Sequence, residues 1–399
     1  TRLRICDPAP DSMLGQNPGL SSRRAIIACI LACLASSSAL AATPEPQEFR
    51  VIAYVAGWSM PPAIRAEKLT HINFAFARID ADGKVGFEDP KAAAALESLL
   101  ALKRQNPRLK VIVSIGGWEA EGFSDAALTT ASRAAFAESA VALLRKHGVD
   151  GVDLDWEYPG QGVAGIKYRT EDKRNFTLLL KTLRAQLDAA SDADDRSGDD
   201  RHLLTIASAD REYFEHTEMD ELQVHLDWIN IMSYDFFNSL TATTGHHAGL
   251  HASELAAPGD RNADASVRQH IAAGIPRDKL VLGVAFYGRG FAGVKPDNDG
   301  LHQPYARYAG DYSYAKLKDE LIGRQGFVRH WDRRARAPYL WNAATKTFIS
   351  YDDPQSIREK ADYVREQGLG GMMFWELSQD RDDELLDVIA TTLRRGRGH

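Results

Sequence analysis

The sequence predicts an α/β protein built as a closed (β/α)8 barrel, in which eight parallel strands alternate with covering helices. From Arg50 onward, short β-branched or apolar runs alternate with longer helical patterns, and this alternation is typical of repeated β-α units and a parallel sheet. Eight such runs can be counted. Because eight strands with crossover helices close on themselves, the pattern favours a TIM barrel over an open sheet.

The predicted strands follow one another along most of the chain. They are RVIAYVA from Arg50, THINFAFA from Thr70, KVIVSIG from Lys110, GVDLDWE from Gly151, LLTIASA from Leu203, DWINIMS from Asp227, LVLGVAF from Leu280 and GGMMFWE from Gly370. Helical patterns lie between them, for example over residues 92–103, 131–146, 172–187 and 266–273. In such a barrel the active site lies at the carboxyl ends of the strands.

The spacing breaks once, between the seventh strand, which ends near Tyr287, and a helix predicted from Pro354 to Gln367. The gap, residues 290–348, is too long for a loop and carries its own aromatic-rich pattern. We therefore predict a small α+β subdomain over residues 290–348, inserted between strands seven and eight of a barrel domain that covers residues 47–396.

The first 42 residues carry a targeting pattern. Two arginines at positions 23 and 24 precede an apolar run over residues 25–34, and the small residues ALAA follow at positions 39–42. This order is typical of a secretory signal peptide, and the apolar run is too short for a comfortable membrane span. We expect cleavage near Ala41, and a secreted or periplasmic product with no stable membrane insertion.

All three cysteines, Cys6, Cys29 and Cys33, precede this cleavage point, so the mature chain would have neither a disulfide nor thiol chemistry. A lipoprotein anchor at Cys29 or Cys33 is a minor alternative. The net charge of -7 argues against nucleic acid as a partner and fits a neutral substrate.

Three carboxylates stand out in the fourth predicted strand. Since alternate residues of a strand share a face, Asp153, Asp155 and Glu157 should point into the barrel together. The segment contains no Lys or Arg to neutralise them, and isolated buried charges are costly, so the trio indicates chemistry or metal binding. Like charges a few ångströms apart retain a proton, and Glu157, nearest the carboxyl end, is the natural general acid.

At these residues the sequence resembles glycoside hydrolase family 18, the chitinases and their relatives. The run DGVDLDWE at residues 150–157 is similar to the family signature DGxDxDWE. Further similar motifs occur in the family order: SIGGW at 114–118, MSYD at 232–235, YGR at 287–289 followed by the insertion, YDDP at 351–354 and MFWE at 373–376. The resemblance covers the whole mature chain and is closest to bacterial enzymes with a chitinase insertion domain.

The resemblance implies a retaining mechanism in which the substrate assists its own cleavage. Glu157 would protonate the glycosidic oxygen while the 2-acetamido oxygen of the substrate attacks the anomeric carbon. Asp155 would orient the acetamido group, Asp153 would tune Asp155, and Tyr234 would hydrogen-bond the acetamido carbonyl. Among sugar-binding residues the resemblance implies Met232, Asp235 and Arg289; it implies no cofactor and no metal, and we expect a monomer.

Aromatic residues are the second class of candidate. Trp375 ends the eighth predicted strand, where a flat ring could form the floor beneath the sugar at the cleaved bond. Phe76, Trp118 and Tyr158 are further candidates for sugar binding, for which a core position is an equal alternative, as it is for Trp58. Trp228 begins a strand and is expected to be structural, whereas Trp331 and Trp341 could line a cleft wall or form the core of the insertion.

Three histidines, His246, His247 and His251, could suggest a metal site, but no matching ligand set is evident. We expect a polar surface loop there.

The leading functional hypothesis is a chitinase that acts on chitin or N-acetylglucosamine oligosaccharides. An endo-β-N-acetylglucosaminidase that cleaves N-glycans, a chitin-binding lectin and a carboxylate-metal hydrolase remain as alternatives. Lectins of this family typically lose the acid that Glu157 provides, and the insertion favours a deep cleft for linear chains.

Overall fold

The structure is a computed structural model that describes residues 49–395. The predictions for the signal peptide, its cleavage near Ala41 and the three cysteines concern residues outside this range. Within it, no helix is both long and apolar enough to cross a membrane.

The strands of the described chain fall into two sheets, one parallel and one antiparallel. In chain order the strands are β1 (Arg50–Ala56), β2 (His71–Ile79), β3 (Lys110–Gly116), β4 (Gly151–Asp155), β5 (Leu203–Ser208), β6 (Trp228–Ile231), β7 (Leu280–Ala285), β8 (Tyr287–Ala292), β9 (Arg307–Ser313), β10 (Val328–Asp332), β11 (Ala337–Asn342), β12 (Thr347–Ser350) and β13 (Gly371–Trp375). A two-residue strand, Val85–Gly86, pairs with the end of β2.

The parallel sheet is a closed barrel. Its strands follow the order β1, β13, β7, β6, β5, β4, β3 and β2, and β2 pairs again with β1, so the sheet has no free edge. Every one of the eight predicted strands is present, and the predicted TIM barrel is confirmed.

Helices connect the strands on the outside of the barrel. The longer ones are α1 (Pro90–Leu100), α2 (Thr130–His147), α3 (Asp172–Ala193), α4 (Ala263–Ala272), α5 (Pro354–Gln367) and α6 (Glu384–Arg394). Short helices lie at Phe123–Ala126, Glu212–Glu215, Met219–Leu222 and Tyr314–Lys316, the last continuing into a π-helical turn at Leu317–Leu321. Single 3-10 turns lie at Ala66–Lys68, Ala101–Arg104, Gly198–Asp200, Gln223–His225, Arg277–Lys279, Asp297–Gly300 and Leu377–Gln379.

Helix α5 shows how local sequence sets these boundaries. Asp353 precedes the helix and accepts hydrogen bonds from the backbone N–H groups of Gln355 and Ser356, both at 3.0 Å. Pro354 occupies the first helical turn, where its missing N–H costs nothing. Gly368 ends the helix in the left-handed conformation, with φ of 65°, that favours glycine.

The insertion is an antiparallel sheet of five strands in the order β9, β8, β12, β11 and β10. It begins at Tyr287 and ends at Ser350, so it is slightly wider than the predicted range, and Tyr287 belongs to this sheet rather than to the seventh barrel strand. The sheet has its own apolar core, which consists of Phe291, Val294, Leu301, Tyr339, Trp341 and Phe348. Trp341 therefore packs inside the insertion.

The barrel interior differs from the layer between strands and helices. The outer layer is apolar, whereas the interior contains fully buried, hydrogen-bonded polar side chains, namely Ser114, Asp153, Thr205 and Asn230. Buried polar groups are retained only where hydrogen bonds compensate the loss of water, so these residues mark the region in which the site is built. Trp228 is buried at the amino end of β6 beside His71, at 4.7 Å between ring centroids, as a structural residue should be.

Candidate active site

Strand β4 brings its acidic residues into the barrel by simple alternation. Val152, Leu154 and Trp156 face the apolar outer layer, and Trp156 stacks on Phe123 there. The residues between them face inward, where Asp153 and Asp155 are 0% and 5% exposed. The strand ends at Asp155, two residues before its predicted end. Glu157 therefore stands on the loop that leaves the carboxyl end of the barrel.

Asp153 accepts hydrogen bonds from four donors. Ser114 Oγ and Tyr54 Oη donate to Oδ2 at 2.7 and 2.8 Å, and Thr205 Oγ1 and Asn230 Nδ2 donate to Oδ1 at 2.6 and 3.2 Å. Burial raises the pKa of Asp153, and these four hydrogen bonds oppose that rise because they favour the charged form. The carboxylate is therefore fixed in position by neutral groups from four other strands.

Asp155 has no comparable set of donors. Its Oδ1 is buried without a hydrogen-bond partner in the described residues. Burial raises its pKa well above the ordinary value, and the neighbouring charges of Glu157 and Asp153 raise the pKa further. Close backbone packing holds the residue in place, since a Cβ on Gly116 would stand 2.2 Å from the carbonyl oxygen of Asp155.

Glu157 has the properties of a general acid. Burial raises its pKa to about 7, and the charge of Asp235 adds to the effect. A carboxyl group with a pKa in this range keeps its proton near neutral pH and releases it readily during reaction.

A second acidic group faces this cluster from the loop after β6. Asp235 has a left-handed backbone, with φ of 58°, and pairs with Arg289 on β8, whose Nε donates to Oδ1 at 2.7 Å. Burial alone would raise the pKa of Asp235, but His247 and Arg289 lower it below the ordinary value. The charged pair thus joins the barrel loop to the insertion sheet beside the carboxylates.

Tyr234 and Met232 lie on the same loop. Tyr234 is 9% exposed and packs edge-on against Tyr287, with ring centroids 6.3 Å apart. The nearest recorded partner of its hydroxyl group in the described residues is the sulfur of Met373, at 4.0 Å. Met232 is partly buried where the barrel interior meets the outer layer.

Aromatic rings cover the carboxyl end of the barrel. Trp375 stacks on Phe76 with centroids 5.6 Å apart and an interplanar angle of 18°. Trp58 extends this surface, at 6.1 Å from Phe76, and is 67% exposed. Of the residues for which the sequence allowed a core position, Phe76 and Trp58 therefore lie on an open aromatic surface next to Trp375.

Trp118 and Tyr158 form a separate pair beside the carboxylates. Their rings meet edge-on at 6.4 Å, and Trp118 is 45% exposed. Tyr158 follows Glu157 directly and is half-buried. The structure thus brings together all the predicted site residues at one end of the barrel.

Sequence reasoning missed the donors around Asp153. The predicted site includes none of the four: the sequence places Tyr54, Thr205 and Asn230 in predicted strands, and Ser114 in the SIGGW motif. One signal was available, because each is a polar residue in the middle of an apolar strand. The partners themselves lie far apart in the chain.

The prediction of a polar surface loop for the histidines was wrong. His246 and His247 are 4% and 0% exposed, because the insertion sheet covers the loop that carries them. His246 pairs with Asp332 at 3.1 Å, whereas His251 is partly exposed. Residues 49–395 contain no group of three or more His, Cys, Asp or Glu side chains that could hold a metal.

An unpaired acid that keeps its proton near neutral pH, a second buried carboxyl group beside it and a floor of flat rings are what cleavage of a glycosidic bond requires. Sugar rings present C–H faces that pack on aromatic side chains. The fold and the site together define a glycoside hydrolase.

Comparison with known proteins narrows this class. The model of the glycosyl hydrolases family 18 matches residues 50–380, and the chain belongs to this family. Chitinase A1 of Niallia circulans is 37% identical, over 93% of this chain and 62% of that protein. Chitinase B of Serratia marcescens is 33% identical, over 82% of this chain and 76% of that protein. The chain therefore spans less than two thirds of the first of these relatives.

Solved structures that are similar to this chain include a family 18 enzyme and a chitinase. A family 18 N-acetylglucosaminidase from Paenibacillus barengoltzii is 43% identical, with a TM-score of 0.80, and the match covers 86% of this chain and all of that one. Chitinase ChiA74 from Bacillus thuringiensis is 34% identical with a TM-score of 0.82, over 88% of this chain and 71% of that one.

Proposed function

We propose that this protein is a chitinase that hydrolyses β-1,4 linkages between N-acetylglucosamine units. The observation that carries the proposal is Glu157 on the loop that leaves the carboxyl end of the barrel, whose pKa burial raises to about 7, together with the stacked rings of Trp375 and Phe76. The relatives named as chitinases support the same substrate. The intact acid argues against a lectin, and the named relatives do not favour an enzyme specific for N-glycans.

In the proposed mechanism, Glu157 donates its proton to the glycosidic oxygen as that bond breaks. The 2-acetamido oxygen of the same sugar attacks the anomeric carbon and forms an oxazolinium ion, so the substrate supplies the nucleophile. The deprotonated Glu157 then takes a proton from water, which opens this ring and restores the original configuration. Net retention follows from two inversions.

The other carboxyl groups hold the acetamido group in the reactive position. Asp155 has a raised pKa and a buried oxygen without a partner, so in its protonated form it can donate to, and in its charged form accept from, the acetamido group. Asp153, fixed by its four donors, holds its carboxyl group in place next to Asp155. Tyr234 adds a hydroxyl group for the acetamido carbonyl, and Asp235 with Arg289 lines the sugar site.

One digest tests substrate and stereochemistry together. Colloidal chitin and a labelled N-glycan are incubated with the protein, the products are sized, and proton NMR follows the first anomer released from a chitin oligomer. We expect chitobiose-rich products from chitin, and the β-anomer first. Cleavage of the glycan alone would overturn the proposed substrate, and initial release of the α-anomer would overturn the mechanism.

We further propose that the protein acts outside the cytoplasm as a monomer that needs no metal. The signal-like pattern of residues 23–42 supports export. Amino-terminal sequencing of protein recovered from the periplasm or medium should begin close to position 42, light scattering should give a single chain, and excess chelator should leave activity unchanged. Retention of the full chain in the cytoplasm, or loss of activity with chelator, would contradict these proposals.

A further inference from the structure

His247 is a buried histidine that the proposed mechanism does not use. It is 0% exposed, its backbone N–H donates to Ser350 Oγ at 2.8 Å, and its carbonyl oxygen accepts from Phe236 N at 3.0 Å. Its ring lies against Tyr287, with centroids 5.3 Å apart. The imidazole is thus held between the loop after β6 and two interior strands of the insertion sheet, β8 and β12.

The polar atoms of this ring are left without partners. Neither ring nitrogen makes a hydrogen bond within residues 49–395, although both are buried. A buried polar group without a hydrogen bond is costly, so such a group calls for an explanation. The nearest acceptor recorded is Asp235, whose Oδ1 lies 3.5 Å from Nδ1 of His247.

Asp235 lies between two basic side chains, Arg289 and His247. Arg289 holds it from one side, but the same guanidinium also binds Asp311 Oδ1 at 2.6 Å and Tyr308 Oη at 3.0 Å on the rim of the insertion. Asp311 is mostly exposed, so Arg289 binds Asp235 in the site and also a carboxylate at the solvent-exposed surface. His247 is fully buried and approaches Asp235 from the protein interior, where competition from water for a hydrogen bond is small.

The position of Asp235 matters for the acid. Its charge is one of the groups that act on Glu157, so a shift of this carboxylate changes the field at the proton that catalysis transfers. A carboxylate can only accept a hydrogen bond, and Nδ1 of His247 must therefore carry the proton when the two groups meet.

We propose that His247 is a positioning residue, whose Nδ1–H bonds to Oδ1 of Asp235 when sugar occupies the site and so fixes this carboxylate opposite Glu157. Hydrogen bonds in unliganded catalytic sites are often long and tighten only when substrate binds, which fits the distance of 3.5 Å. The inference rests on the proposed function, because it assumes a sugar bound beside Asp235.

The adjacent histidine provides a matched control. His246 is also buried between the same loop and the insertion, but it pairs with Asp332 rather than with the active site. Substitution of either histidine disturbs a similar seam between barrel and insertion. Only His247 should affect the chemistry.

The test is a double-mutant cycle on an N-acetylglucosamine oligomer with His247→Leu, Asp235→Asn and the pair combined. Because hydrogen bonds to charged groups are strong, we expect His247→Leu to lower kcat/KM by about tenfold. In the Asp235→Asn background the same change should have almost no further effect. His247→Asn, whose amide nitrogen stands close to the position of Nδ1, should restore most of the activity, and His246→Leu should leave kcat near the wild-type value.

Independent, multiplicative losses in the cycle would overturn the inference, as would a failure of His247→Asn to restore activity in a folded protein. A wild-type protein that cleaves no such oligomer would refute the proposed function instead. In that case the inference is tested by thermal unfolding of the four proteins of the cycle, namely the wild type, the two single variants and the double variant. We expect His247→Leu to lower Tm less in the Asp235→Asn background, and equal shifts in both backgrounds would refute the contact.

Discussion

The two ends of strand β4 carry buried acids in opposite surroundings. At the amino end, Asp150 is 3% exposed and binds Arg196 at 3.0 Å and Lys103 at 2.6 Å. At the carboxyl end, none of the ion pairs recorded for residues 49–395 involves Asp153, Asp155 or Glu157. Two cations bind the acid at one end, whereas at the other Asp153 is held by neutral donors and only the more distant charge of Arg78 opposes the raised pKa of Asp155.

This difference separates a structural acid from a reactive one. A buried carboxylate with two cations stays charged and anchors its strand, because removing either partner would leave an uncompensated charge. Burial without a paired cation raises the pKa of a carboxyl group, so such a group can hold a proton and transfer it where substrate reaches it. Four experiments test this difference.

The largest effect should come from Glu157→Gln. The substitution keeps the side-chain volume but removes the transferable proton, so we expect kcat on a chitin oligomer to fall by roughly a thousandfold, within the range that general acid catalysis contributes. Stability should not fall, since no buried ion pair is lost. Glu376→Gln is the matched control, because Glu376 is a buried carboxyl group at this end of the barrel that binds Ser378 through both of its oxygens. Equal turnover by both variants would remove Glu157 from the mechanism.

At the other end, Asp150→Asn should affect stability and spare catalysis. Loss of one partner from a buried ion pair is costly, but Lys103 and Arg196 keep some contact with water, so we expect the free energy of unfolding to fall by about 2 kcal/mol. Urea titration measures this change, and kcat should stay close to the wild-type value. A collapse of kcat without loss of stability would show that the two ends do not differ as described.

A smaller effect is expected from Thr205→Val, which removes one of the donors to Asp153 at nearly constant volume. A hydrogen bond to a charged group is lost, so the free energy of unfolding should fall by about 1.5 kcal/mol, and kcat should fall as well because Asp153 loses its fixed position. Thr177→Val is the control, since Thr177 donates to Glu218 on the outside of the barrel at 2.7 Å. It should lower stability alone; a similar loss of kcat in both variants would point to a general effect of destabilisation.

The last prediction concerns the dependence of kcat/KM and of stability on pH. Burial raises the pKa of Glu157 to about 7, so the protonated acid is lost above that value, and kcat/KM should fall by about tenfold for each further pH unit. Between the ordinary pKa of 4.5 and about 7, the folded protein holds a proton that the unfolded chain releases. The contribution of Glu157 to stability is therefore full below 4.5 and declines as pH rises through 7.

Kinetics and unfolding measured across this range should agree. The decline in stability should be smaller in Glu157→Gln, which has no proton to lose at this position, whereas the raised pKa values of Asp153 and Asp155 still contribute. A kcat/KM that stays flat to pH 9 would mean that Glu157 is not the group that must be protonated.

Much of the fold was accessible from the sequence. The strands from Arg50 and Lys110 have their predicted boundaries, because apolar β-branched runs bounded by polar residues leave little choice of register. Glu157 could be proposed as the acid because, of the three carboxylates, it lies nearest the carboxyl end of the predicted strand and has the longest reach. His247 could not be placed, since its burial depends on an insertion sheet whose last strand ends at Ser350.

From the sequence alone it could be predicted that these acids share a face and that this face lies inside a barrel, because the residues of DGVDLDWE alternate and eight such runs repeat along the chain. How each acid is held depends on contacts between distant parts of the chain. The donor Tyr54 lies 99 residues from Asp153 along the chain, and Arg289 lies 54 residues from Asp235. Protonation depends on burial and on distances of a few ångströms, and closure of the barrel sets both.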